Sequence, residues 1–240
     1  MPHHLKEIPS TQIFLKNLLL KEPDLPNLEY VLADIQTHGI ARHGRTWTST
    51  PGNLLISIWI RNFKLPITWI PHWMGVALME TLLYFKVPIE NLRLKWPNDL
   101  VLNQDKKIAG ILCEKIKDGI VVGIGMNLVS SPTLEDRFTG SIGDIAPDFV
   151  AGKMRDAFVM QLIENLNEEP SLPSLEVKYK NYSLLKSGDA ISWIDLQTKQ
   201  EGSGNFQRYG IHGELITSAI GVGEERALYS EEIRLKTKPN

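Results

Sequence analysis

The sequence predicts an α+β protein, a mixed sheet flanked by helices over residues 1–185 and a small β-barrel over 186–240. Three observations lead there. Strand-like runs are joined by hairpin turns in some places and by helical runs in others, without the strict alternation of a doubly wound fold. From Ser187 onward helical periodicity stops and only short strands and turns remain. No P-loop or dinucleotide-binding glycine pattern is present. The nearest candidate pair, Gly123 and Gly125, lies in Val121-Val122-Gly123-Ile124-Gly125-Met126-Asn127, which continues as strand and opens no helix.

Each element has its own signal. Ser10 and Thr11 precede an amphipathic run at 12–21, and either hydroxyl can cap that helix. Pro23 and Pro26 stop it. Residues 30–36, rich in branched and aromatic side chains, read as a strand. The polar, glycine-bearing stretch 37–52 reads as a loop, and Asn-Leu-Leu-Ile-Ser-Ile-Trp-Ile at 53–60 as a buried strand. Residues 69–86 have helical spacing. A strand ending at Lys95, a turn Trp96-Pro97-Asn98-Asp99 and a short strand back to Lys107 form a hairpin. Strands at 108–115 and 120–127 flank a Lys117-Asp118-Gly119 turn. Residues 130–143 read as loop, 147–167 as one long helix with Pro147 near its start, and 175–185 as a third helix. Strands at 189–194, 202–210, 214–219 and 226–230 make up the barrel.

Composition sets the class. With 240 residues and 42% hydrophobic content the chain can bury a proper core, and a charged fraction of 22% is ordinary for an ordered protein. A net charge of −2 gives no reason to expect nucleic-acid binding. No apolar run approaches the ~20 residues of a membrane span, so no membrane partner is expected, and the N-terminus has no signal-peptide core. Cys113 is the single cysteine. It can form no internal disulfide, it sits in an apolar run as an inert core thiol, and a reducing cytoplasm fits.

Two segments carry more chemistry than a scaffold needs. The Lys95–Lys107 hairpin presents two amines, the Asn98 amide and the Asp99 carboxylate on elements stiffened by proline and by turn-forming side chains. The loop His38-Gly39-Ile40-Ala41-Arg42-His43-Gly44-Arg45-Thr46-Trp47 lies in a stretch with no acidic residue between Asp34 and Glu80. Arginines and exposed backbone amides suit phosphates and carboxylates. The same loop also reads as a solvated basic loop, and Lys107 as a solvated turn lysine.

The combination, in this order, resembles the biotin protein ligase family. The resemblance runs from Ser10-Thr11 through Gln36 and the 39–47 loop to Lys95-Trp96-Pro97-Asn98-Asp99. It continues through Lys107-Ile108-Ala109-Gly110-Ile111-Leu112 and Gly123-Ile124-Gly125-Met126-Asn127, and weakly into the terminal barrel. The loop match is partial: against the family pattern Gly-Arg-Gly-Arg-x-Gly-Arg, Ile40 replaces an arginine and Ala41 a glycine. The resemblance implies a catalytic domain similar to class II tRNA synthetase cores followed by an SH3-like barrel. It also implies a ligase without the N-terminal DNA-binding domain and repressor role of some relatives.

It implies a mechanism as well. Biotin attacks the α-phosphate of ATP, with Mg2+ on the phosphates and no metal site of the protein's own. Biotinyl-AMP then passes its acyl group to a lysine of a biotin carboxyl carrier domain. By position, Lys107 and Arg42 are the catalytic cations. Ser10, Thr11, Gln36, Gly39, Lys107 and Gly110 match the biotin site, and Arg42, Arg45, Trp47, Asn98 and Asn127 the nucleotide site. Asp99 either orients the carrier lysine or shapes the turn, and Trp47 is either a wall of the site or a core residue. The loop is expected to order over the intermediate, and Ile40 to slow activation. Exposed sheet edges could pair with the carrier or with a second copy in a homodimer. Competing readings are a lipoate-type acyl ligase, against which the absence of three consecutive glycines counts, a non-catalytic biotin or biotinyl-AMP binder, and a plain interaction module.

Overall fold

The computed structural model describes residues 3–151, 154–195, 198–219 and 225–235. In chain order the elements are β1 (His3–Ile8), α1 (Thr11–Lys21), β2 (Tyr30–Gln36), β3 (Gly39–Ile40), β4 (Thr46–Trp47), β5 (Leu54–Arg61), α2 (Ile70–Tyr84), β6 (Leu92–Lys95), β7 (Asp99–Leu102), β8 (Lys106–Ile116), β9 (Gly119–Met126), α3 (Pro147–Ala151), α4 (Arg155–Leu166), α5 (Leu172–Tyr182), β10 (Ala190–Ile194), β11 (Glu201–Tyr209), β12 (Leu215–Ala219), β13 (Glu225–Leu228) and β14 (Glu232–Leu235).

Seven strands form one mixed sheet in the order β1-β2-β5-β9-β8-β7-β6. Only β1 and β2 pair in parallel. β5 is buried at every position but its last, which is what its unbroken apolar run requires. The period-2 alternation sorts the sheet into two faces. Leu54, Ile56, Ile58, Ile60, Val122 and Ile124 share one apolar cluster with α2, α4 and α5. Val31, Trp59 and Val121 point the other way, against Leu15 and Leu19 of α1. Helix α1 covers only part of that second face. Beyond its N-terminus the sheet presents Ser57, Gly123, Gly125 and Gly110, with Ser57 paired to Gly123 and Gly110 to Gly125. Small residues there leave a floor with room above it.

The C-terminal strands form a second, wholly antiparallel sheet in the order β13-β12-β11-β10-β14. Among the described residues β13 and β14 are its two edges and no pairing closes it, so the expected barrel is here an open five-stranded sheet. Its Trp193, Phe206, Tyr209, Leu215, Leu228 and Ile233 join the same apolar cluster as α2 and α5. Two tryptophan N–H groups tie the sheets together: Trp69 donates to Ile211 O at 2.9 Å and Trp96 to Gly213 O at 2.8 Å.

Three sequence readings change. The single helix at 147–167 is two helices, α3 and α4; residues 152–153 of that reading lie outside the described residues. The loop at 37–52 contains the two-residue ladder β3–β4, too short for a periodic signal. Strand β14 was missed because Glu-Ile-Arg-Leu shows little β-branched or aromatic character.

Candidate active site

A cavity of about 370 Å³ opens above the glycine floor, between α1, the β3–β4 hairpin, the Lys95–Lys107 hairpin and the start of β14. Its two ends differ in chemistry.

The inner end is polar and uncharged. Ser10 caps α1, its Oγ accepting from Ile13 N at 3.5 Å. The next residue, Thr11, donates to Gln36 Oε1 twice, from its backbone N at 2.7 Å and from Oγ1 at 3.0 Å. Thus a helix start and a strand end are stitched across the sheet edge, and Ser10, Thr11 and Gln36 all line the cavity.

The outer end is charged. Lys107 Nζ lies 2.7 Å from Asp99 Oδ1, each side chain about four-fifths buried. The Lys107 ammonium also stands 5.8 Å from the Trp47 ring centroid, within cation–π range. The Trp47 ring lies over Gly110 and Gly125. A Cβ at Gly125 would come within 2.3 Å of the indole, so glycine there is what lets the ring lie down on the sheet. Arg42 Nη1 donates to Asn98 Oδ1 at 2.7 Å, and Asn98 Nδ2 donates to Ile111 O at 2.7 Å, so the arginine is braced through the turn onto β8. Burial lowers the Arg42 pKa and Asp99 opposes this, yet a guanidinium stays charged at any physiological pH. Burial, then Arg42 and Arg45, lower the His43 pKa and keep that imidazole neutral. Hairpin β3–β4 reverses through His43 and Gly44, both with positive φ.

The C-terminal sheet reaches the site. Arg42 Nη2 donates to Ser230 O at 3.4 Å, and Arg45 Nη2 pairs with Glu232 Oε2 at 3.3 Å.

Lys107, Arg42, Arg45, Trp47, Asn98, Asp99 and Gly110 therefore converge on one cavity with Ser10, Thr11 and Gln36. Two sequence-proposed residues stand outside its lining. Gly39 is buried where a Cβ would meet Trp47 O at 2.5 Å, so it seats the hairpin. Asn127 is buried just past the end of β9, donating to Gly140 O at 3.0 Å and accepting from Asn53 Nδ2 at 3.3 Å. Sequence reasoning missed Ser57, the mutually paired Asp136 and Arg137, and the 230–234 segment, all of which line the cavity. Gln12 also lines the cavity. A lone serine inside an apolar strand run was the available signal for Ser57. Burial pushes the Cys113 thiol up to about 12, which disfavours the thiolate and agrees with the inert thiol expected from the sequence.

Residues 5–128 match the Biotin/lipoate A/B protein ligase family. The chain belongs to that family. It is 32% identical to the biotin–[acetyl-CoA-carboxylase] ligase of Mycobacterium tuberculosis over 59% of this chain and 57% of that one. It is 35% identical to the biotin–protein ligase of Homo sapiens over 52% of this chain and 19% of that one. The chain thus spans less than two thirds of the length of these curated relatives. Its fold is similar to that of the biotin protein ligase from Aquifex aeolicus in complex with biotin and ATP, with TM-score 0.74 and 26% identity over 97% of this chain and 98% of that one. Ile40 and Ala41 line the cavity.

Proposed function

We propose that this protein is an ATP-dependent biotin protein ligase. The observation that carries the reading is the two-ended cavity: neutral hydroxyls and amides at one end, fixed cations at the other. Biotin has the same polarity, a neutral ureido ring and a carboxylate. A lipoyl group would put a dithiolane, which forms no comparable hydrogen bonds, against Ser10, Thr11 and Gln36, leaving buried polar groups unpartnered at about 1–3 kcal/mol each.

In the first step a biotin carboxylate oxygen attacks the α-phosphorus of ATP and the bond to pyrophosphate breaks, giving biotinyl-AMP. Two anions must meet. Lys107 and Arg42, held in place by Asp99 and Asn98, supply positive charge where negative charge accumulates, without reorganising at the moment of reaction. Arg45 and Asn98 face the nucleotide phosphates, and Trp47 walls the join between the two ends. In the second step a carrier lysine amine attacks the acyl carbon, the anhydride bond breaks, and AMP leaves with its electron pair. Asp99 is the carboxylate placed to orient that amine.

Among the described residues no group of three or more His, Cys, Asp or Glu could hold a metal. A hard cation bound mainly through substrate phosphates suits such a site, so Mg2+ would arrive with ATP, into a cavity whose lining carries the carboxylates of Asp99, Asp105, Asp136, Glu231 and Glu232. We assign residues 1–185 as the catalytic unit and the C-terminal sheet as an SH3-like unit that steadies Arg42 and Arg45. Strand β1, an edge of the seven-stranded sheet among the described residues, is the surface we assign to pairing with a biotin carboxyl carrier domain or a second copy. We infer a cytoplasmic location, which a reaction drawing on ATP and a carboxylase carrier supports.

The test is direct. With ATP, Mg2+, biotin and an apo carrier domain, the carrier should gain one biotinyl group by mass spectrometry, dependent on all three small molecules. Biotin binding without transfer would support the non-catalytic reading instead.

A further inference from the structure

Two buried tryptophans reach the same turn of the C-terminal sheet, and only one of them borders the cavity. Trp69 is 1% exposed and Trp96 3% exposed. Their indole N–H groups donate to Ile211 O at 2.9 Å and to Gly213 O at 2.8 Å, in the turn between β11 and β12. That turn is held on its own account. Gly210 N donates to Glu214 O at 2.8 Å, and Gly213 N donates to Gly210 O at 2.9 Å. Gly213 has a φ of +74°, and a Cβ there would come within 3.1 Å of the His72 ring and 3.2 Å of Thr68 O. The Gly213 carbonyl is therefore a fixed acceptor, and among the described residues no other donor reaches it.

The two hydrogen bonds start from different places. Trp69 stands at the opening of α2, and no residue of that helix lines the cavity. Trp96 is itself part of the lining. It follows the last residue of β6 and begins the turn into β7, which the pair Lys95 and Asp99 closes. Only Pro97, with its fixed φ, separates it from Asn98. Asn98 holds the other side of that turn. Ile111 N donates to its backbone O at 2.9 Å, and its Nδ2 donates to Ile111 O at 2.7 Å. Its Oδ1 accepts from Arg42 at 2.7 Å, and the next residue, Asp99, pairs with Lys107 at 2.7 Å. The active-site turn thus hangs between two anchors, β8 on one side and the C-terminal sheet on the other. An indole N–H can only donate, so breaking the second anchor leaves a buried donor and a buried carbonyl both unpaired.

We propose that Trp96 is a positioning residue: its hydrogen bond to Gly213 O fixes the active-site turn against the C-terminal sheet, and through Asn98 and Asp99 it aims Arg42 and Lys107. This inference rests on the ligase reading for the reaction that those cations serve. Without the bond the turn pivots about its Asn98–Ile111 anchor, and the two cations lose their alignment with the reacting atoms. Alignment of this kind governs the chemical step rather than ground-state binding. The neutral inner end, built on α1 and β2, stays as it was.

The bonds are deleted one at a time in the full chain, by Trp96→Phe and Trp69→Phe. Each removes an indole N–H from the same turn, so each should lower the urea midpoint of unfolding. Biotin-dependent pyrophosphate release then separates them. Trp96→Phe should lose about tenfold in kcat with its KM for biotin unchanged, while Trp69→Phe keeps the kcat of the wild type. A purely structural link between the sheets would leave the two variants with the same kcat, and that result overturns the proposal. A loss in Trp96→Phe that falls only on the KM for biotin overturns it too. Should either phenylalanine variant fail to fold, benzothienylalanine at that position keeps the ring shape with sulfur in place of the N–H, and the same comparison is made. Equal kcat values beside an active wild type refute the tether alone; a wild type that forms no biotinyl-AMP refutes the ligase reading, and the tether with it.

Discussion

His72 lies in α2, 1% exposed, where the main body meets the C-terminal sheet. Its Nδ1 donates to Thr68 O at 3.2 Å, and its Nε2 is buried with no hydrogen-bond partner. The ring packs against Trp69, Tyr179 and Tyr209. A second ring proton would find no acceptor, and burial pulls the pKa from 6.5 down to about 3. The group is a base with a depressed folded-state pKa. The unfolded chain therefore binds the extra proton first, and stability held above pH 6.5 is lost as pH falls toward 3. Each pH unit inside that window costs about 1.4 kcal/mol for one proton. Only the lower one and a half units of the step from pH 7 to pH 5 lie inside it, so this residue should remove about 2 kcal/mol. The assay is urea unfolding at both pH values for the wild type and His72→Phe, which keeps an aromatic ring among its neighbours. The variant should lose about 2 kcal/mol less between the two pH values, whatever its stability at pH 7. Equal losses in both proteins would show that His72 takes up no proton on unfolding, and the account of a neutral buried imidazole would be wrong.

Lys107→Met keeps the side-chain length but deletes the charge, and should cost roughly 2–4 kcal/mol of transition-state stabilisation, read as a fall in biotin-dependent pyrophosphate release. Gly125→Ala puts a methyl group into the Trp47 indole; the ring must lift off the sheet, and overpacking of this kind costs about 1–3 kcal/mol. Tm should drop, and the wall between the two ends of the cavity should be displaced, seen as quenched or shifted tryptophan fluorescence and weaker biotin binding. Ile40→Arg restores a donor at the cavity lining and should raise the rate of pyrophosphate release; no gain would mean that other cavity residues already compensate.

Much of this molecule was legible in one dimension. The Ser10 cap, the 30–36 strand, the buried 53–60 run and the hairpins around Asn98 and Asp118 are set by residues within a few positions of one another, through side-chain periodicity and turn chemistry. The order of polar signals along the chain also pointed to the family, and with it to Lys107, Arg42 and Gln36. What local pattern could not express was which groups share a wall. Ser57 meets Gly123 and Gln12 because strand register, a long-range property with a period of two, sends odd positions of β5 to the α1 side. Asn127, motif member though it is, lies just past the end of β9, where Gly140 and Asn53 hold its side chain. Glu232 and Ser230 reach Arg45 and Arg42 only because an open C-terminal sheet docks on α2 and α5, a contact between segments some 187 residues apart. Local sequence pattern determined most of the elements and the kind of chemistry; the three-dimensional packing, through strand register and the docking of the C-terminal sheet, decided which side chains share the cavity.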